Sequence, residues 1–165
     1  MHRFIECGSL APTVPEAFLI SSPHQSGVNG LSISSLDSML LVATAGDDNA
    51  VGVERVEFSE IDGKLAVSDS SSTTIANAHG STIQGLDFLS PTLLTSSSVE
   101  QRLNVYSLDL TPNPPNMKLV ESTCLDVADC SAQDVVRLER RGESEEWKII
   151  VAGIGIEVGQ SLIGV

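Results

Sequence analysis

Thr95-Ser96-Ser97-Ser98-Val99-Glu100-Gln101-Arg102-Leu103-Asn104-Val105-Tyr106 reads as strand, tight turn, strand. Small hydroxyl residues run into a polar corner at Glu100-Gln101-Arg102, and Leu103 and Val105 then resume with a period of two. The same shape stands earlier as Thr44-Ala45-Gly46-Asp47-Asp48-Asn49-Ala50-Val51-Gly52-Val53, its turn and second strand 52 positions before those just quoted. A small-residue strand again enters an acidic turn, and an aliphatic pair follows two residues apart. Upstream, Val28-Asn29-Gly30-Leu31-Ser32-Ile33 maps onto Ile83-Gln84-Gly85-Leu86-Asp87-Phe88 at a spacing of 55, and His24 maps onto His79 at that same spacing. The difference between the two spacings falls in the link between strands. Self-similarity at such a period marks a repeat architecture of short strands.

The bulk composition limits what such a protein can do. The chain has 165 residues, of which 41% are hydrophobic and only 4% aromatic, so its core must be built from Val, Ile, Leu and Ala. Its formal net charge of −13 repels phosphate backbones, which are bound by displacing counterions with Lys and Arg. The basic cluster Arg137, Arg140, Arg141 sits among Glu139, Glu143, Glu145 and Glu146 and reads as a solvated loop. No apolar run reaches the roughly 20 residues of a membrane span, and Met1 to Cys7 lacks the apolar region of a signal peptide. Cys7, Cys124 and Cys130 are odd in number and widely spaced, which fits reduced thiols in the cytosol or nucleus, and a cytoplasmic location is expected.

Taken in order, residues 1–23 form a proline-rich lead-in around one expected edge strand, Ala17-Phe18-Leu19-Ile20. Residues 24–77 form a first repeat unit, with Met39 to Ala45 as its buried strand. Its second half turns at Ile61-Asp62-Gly63-Lys64 and ends in a serine-rich tract, Ser68 to Thr74, expected to be loop because so polar a composition buries little. Residues 78–110 form the second unit. Residues 111–123, opening on Thr111-Pro112-Asn113-Pro114-Pro115-Asn116, are expected to be a linker. Residues 124–165 hold a degenerate third unit with a charged hairpin loop at Glu139 to Glu146. No segment reads as a long amphipathic helix.

The groups that suggest chemistry do so weakly. Gly153-Ile154-Gly155-Ile156-Glu157-Val158-Gly159 lacks the helix and second strand that a dinucleotide fingerprint needs. Asp47-Asp48-Asn49 has no calcium-loop spacing, and Cys124 with Cys130 has no second pair for zinc. Ser70-Ser71-Ser72 and Ser96-Ser97-Ser98 lie outside any G-x-S-x-G context. His24 and His79 occupy equivalent points of a repeat, which suits a structural role better than catalysis. The sequence therefore predicts no catalytic residue, no cofactor and no metal.

A histidine before a first strand, a Ser-small-Ser strand, an acidic turn and a β-branched strand ending in an aromatic resemble the WD repeat. That resemblance implies an all-β propeller fragment, about two blades plus a degenerate third, open rather than a closed ring. It also implies hydrogen-bonded clusters that pin the blade loops: His24, Thr44 and Asp48 in the first unit, and His79, Ser96 or Ser98, Glu100 and Tyr106 in the second. The first unit carries Glu54 where the aromatic belongs. His24-Gln25-Ser26-Gly27-Val28-Asn29-Gly30-Leu31, Ala78-His79-Gly80, Leu89-Ser90-Pro91, Glu100-Gln101-Arg102-Leu103, Asp126-Val127-Ala128-Asp129 and Gly153-Ile154-Gly155-Ile156-Glu157-Val158 narrow it further. In this order they resemble the carboxyl-terminal end of the large WD-repeat partner subunit of the tRNA anticodon-loop 2′-O-ribose methyltransferase. The resemblance covers residues 17–110 well and 124–158 loosely. It implies a non-catalytic scaffold that positions a methyltransferase subunit on the wobble nucleotide, with tRNA reached through that partner. A WD-repeat adaptor for a ubiquitin ligase or for membrane traffic is the alternative expectation. Because a blade needs neighbours on both faces, 1–165 alone is expected to be unstable or partner-dependent.

Overall fold

The computed structural model describes residues 24–138 and 146–161. Within them the chain is all-β, with three antiparallel sheets, no helix and no closed barrel. The first sheet is a meander of β1 (Val28–Leu36), β2 (Met39–Gly46), β3 (Val51–Ile61) and β4 (Lys64–Ile75). The second repeats that order with β5 (Ile83–Ser90), β6 (Leu93–Ser98), β7 (Arg102–Asp109) and β8 (Asn116–Cys124). The third pairs β9 (Ala128–Leu138) with β10 (Glu146–Ser161).

Turn chemistry sets the hairpins. Asp62 and Gly63 both take positive φ (53° and 74°), the requirement of a two-residue turn that follows the strand twist. Asn49 and Gln101, at equivalent points of the first two units, also take positive φ (63° and 64°). Their carbonyls then reach into the next unit: Asn49 O accepts from His79 N at 3.3 Å, and Gln101 O from Leu125 N at 2.8 Å.

The sheets stack face to face in chain order, with β5 lying along β1 and β9 along β5. Between the first two, Ala43, Ala45, Val51 and Val53 meet Leu86, Leu94, Tyr106, Leu108 and Met117. Between the second and third, Leu89, Leu93, Leu103 and Val105 meet Leu125, Val127, Cys130, Ile149 and Val151. Each large aliphatic buried in these layers contributes about 1.5–3 kcal/mol. The middle sheet is covered on both faces, so every residue of β6 is buried, whereas β2 alternates buried Leu41, Ala43 and Ala45 with half-buried neighbours. Two glycines permit the close approach of the inner strands. A Cβ on Gly30 would lie 2.9 Å from the Leu86 Cβ, and one on Gly85 would overlap Gln133 Cβ and Ser97 Oγ.

Two expectations need correction. The serine-rich tract Ser68 to Thr74 is strand, inside β4, and not loop. Its order comes from the backbone ladder on β3 (Arg55↔Ser71, Val53↔Thr73), which asks for no apolar side chain at a sheet edge. Likewise 111–123 is not all linker. Only its proline-rich start departs from strand, and Asn116–Cys124 pairs with β7 through Asp109↔Asn116 to Arg102↔Cys124, anchored by buried Met117. The second sheet therefore runs to Cys124, and the third begins at Ala128. The lead-in 1–23, with its expected strand at Ala17 to Ile20, and most of the charged loop Glu139 to Glu146 lie outside the described residues.

Candidate functional site

The polar side chains that the repeat singles out gather in two clusters, each where a loop enters the first strand of its sheet. In the first unit His24 Nδ1 lies 2.9 Å from Asp48 Oδ1, and its Nε2 lies 2.9 Å from Thr44 Oγ1. An ionised carboxylate only accepts, so the Nδ1–H donates to Asp48 and the Thr44 hydroxyl donates to Nε2. Asp48 also accepts from the backbone N of Gln25 (2.8 Å) and of Ala50 (3.2 Å). Burial works to raise the Asp48 pKa, but these hydrogen bonds and the imidazole hold it below its ordinary value.

The second unit repeats the arrangement and extends it. His79 Nδ1 stands 2.9 Å from Glu100 Oε1, and Nε2 stands 2.7 Å from Ser96 Oγ. Gly80 N donates to the same carboxylate at 3.0 Å. With Nδ1–H committed to Glu100, the Ser96 hydroxyl must donate to Nε2. Its oxygen is then left to accept from the Tyr106 hydroxyl 3.4 Å away, and Tyr106 in turn accepts from Asn104 Nδ2 at 3.2 Å. Asn104 anchors the far end by donating to Ala78 O at 2.9 Å. Ser98, the alternative hydroxyl, does not join this chain. Its Oγ donates toward Thr82 O (2.8 Å) and Ser81 O (3.1 Å), tying the strand end to the loop before β5.

Burial depresses the His79 pKa against the raising pull of Glu100, and it raises that of Tyr106. A histidine whose folded-state pKa is lowered contributes stability that is present above its unfolded pKa and lost as pH falls below it. Unfolding free energy is accordingly expected to decline from near pH 7 toward pH 5 through this residue. His79→Ala, which leaves Ser96 and Glu100 without their shared partner, is expected to cost about 1–3 kcal/mol. It is also expected to abolish that slope. Denaturant titrations at the two pH values check both effects.

Two functional positions were hidden in the sequence. Asn104 is one; its signal is that it lies two residues before Tyr106 and so shares its face. The other is Glu157, whose Oε2 accepts from Asp126 N (2.7 Å) and Val127 N (3.3 Å). It plays in the third unit the part of Asp48 and Glu100, while buried Leu125 stands where the imidazole stands in the other two. The spacing Gly155-Ile156-Glu157 repeats Gly46-Asp47-Asp48 and marks the position. In the first sheet Glu54 takes the place of Tyr106; one of its carboxyl oxygens is buried without a partner, and burial raises its pKa.

A second titratable group lies at the junction of the inner strands. Asp87 on β5 accepts from Gln133 Nε2 at 3.3 Å, and burial, with Asp134 nearby, pushes its pKa up to about 6. A carboxyl whose folded-state pKa is raised contributes stability that is fully present below its unfolded pKa and lost as pH rises through about 6. Asp87→Asn is therefore expected to raise the melting temperature at pH 8 and to leave it unchanged at pH 4, by calorimetry at both.

Among the described residues no helix is long and apolar enough to cross a membrane. No protein-family model matches the chain, and no curated protein is significantly similar to it.

Proposed function

We propose that this protein is a non-catalytic scaffold built of WD-type blades, and that it positions a tRNA 2′-O-ribose methyltransferase for modification of the anticodon wobble nucleotide. The observation that carries the scaffold reading is the repeated cluster: His24 with Asp48 and Thr44, and His79 with Glu100 and Ser96. In each, both ring nitrogens are engaged in tying a loop to the strand and turn beside it. The His24 and His79 side chains are 1% and 0% exposed and Ser96 is fully buried, so the clusters are shut off from a substrate, which supports a role in rigidity rather than in proton transfer. The acidic balance of −13 supports a division of labour in which the methyltransferase subunit supplies the basic tRNA contacts. The choice of methyltransferase over other clients rests on the sequence resemblance at His24 to Leu31, Ala78 to Gly80, Glu100 to Leu103 and Gly153 to Val158. A cytoplasmic location belongs to the same reading.

Mass spectrometry of digested tRNA from cells lacking the gene tests it. Wobble ribose methylation is expected to fall while the other ribose methylation of the anticodon loop persists, and a tagged chain is expected to co-purify with the methyltransferase. Unchanged wobble methylation would remove this client. It would leave a WD-type adaptor for other machinery, such as a ubiquitin ligase or membrane traffic.

A further inference from the structure

We propose that the protein stacks head to tail with a second copy of itself, the outer face of the first sheet receiving the outer face of the third. The first two sheets are repeats of each other, so their faces can be matched residue by residue. Leu31, Ile33 and Val42 of the first correspond to Leu86, Phe88 and Leu94 of the second. In the second sheet these side chains pack against the first sheet, and Leu86 is 5% exposed. Among the described residues no such layer covers the matching face of the first sheet, and Leu31 and Ile33 are 63% and 59% exposed. What fits this surface is the kind of face that already covers Leu86.

That covering face has a recognisable pattern. On the first sheet it carries Gly30 opposite Ala45 and Ser32 opposite Ala43. On the second it carries Gly85 opposite Ser97 and Asp87 opposite Thr95, turned toward the third sheet. The third sheet holds a further example. Gln133 reaches back to the second sheet, so its neighbours Ala132 and Asp134 point away from it. There Ala132 stands opposite Ala152 and Asp134 opposite Ile150, in the same order and spacing, with Ala132 exposed. Among the described layers, one outer face thus offers large aliphatics and the other a small-residue face. These are the two halves of the junction used twice inside the chain, and such unlike ends associate head to tail. A charge of −13 on every copy opposes their encounter, so salt should favour association.

Sedimentation equilibrium of the full chain, from about 1 to about 100 µM, tests this. The expected mass is a multiple of 17.4 kDa, with tighter association at about 0.5 M than at about 0.05 M salt. Leu31→Glu with Ile33→Glu, and separately Ala132→Glu, are each expected to return the chain to a single-copy mass with an unchanged circular-dichroism spectrum. Leu31→Ser with Ile33→Ser, and Ala132→Lys, replace any variant whose spectrum changes. A single-copy mass for the parent throughout the range overturns the proposal. So does association that survives either set of substitutions, because a head-to-tail junction needs both faces.

Discussion

Replacing Tyr106 by alanine is expected to lower the unfolding free energy by about 3–5 kcal/mol, the range for removing a buried aromatic. Tyr106 is 1% exposed and fills the layer between the first two sheets, beside Val53, Leu94 and Leu108. Its hydroxyl continues the chain of hydrogen bonds from Asn104 toward Ser96 and His79. Alanine therefore opens a void between sheets and leaves two buried polar groups short of a partner. Since a domain of ordinary size holds only about 5–15 kcal/mol in total, a loss of this size shifts the urea midpoint strongly. Tyr106→Phe separates the two contributions. It keeps the packing and is expected to cost about 1 kcal/mol for the hydroxyl. If alanine and phenylalanine proved equally costly, the void would not be the main term.

Gly85→Val is expected to cost about 3 kcal/mol and to act on the opposite face of the same sheet. A Cβ at this position would overlap Gln133 Cβ, which is fixed to the β9 backbone, and Ser97 Oγ, which is buried inside the second sheet. Neither neighbour is the far end of a flexible side chain, so β9 itself must move away. The consequence should be local. Amide exchange in β9 and β10 is expected to speed up, while β2 and β3, two layers away, keep their protection. Uniform acceleration across all three sheets would mean that they open as one unit.

These two positions also show what the sequence discloses. The duplication placed Gly85 opposite Gly30 and Tyr106 opposite Glu54, and the acidic turns placed Asp48 and Glu100, because repeats preserve the residues that each unit needs for its own turn. The imidazole partners were legible for the same reason. What stayed hidden depended on the neighbours of a segment. Ser68 to Thr74 became strand because β3 offers it a complete backbone ladder, and Asn116 to Cys124 did so on β7. Ser68 to Thr74 has no apolar rhythm of its own, and Asn116 to Cys124 buries only Met117. The carboxylate of the third unit escaped notice because Leu125 had replaced the histidine that would have announced it.

The burial of β6 on both faces has a consequence in time. Stacked sheets lose structure from their ends inward, since an end layer has a single neighbour to leave. The amides of Thr95 to Ser98 are paired with β5 and β7 and covered above and below, so they can meet solvent only after a whole neighbouring layer has departed. They should be the last protons the molecule exchanges, and their rate should report the lifetime of the stack itself.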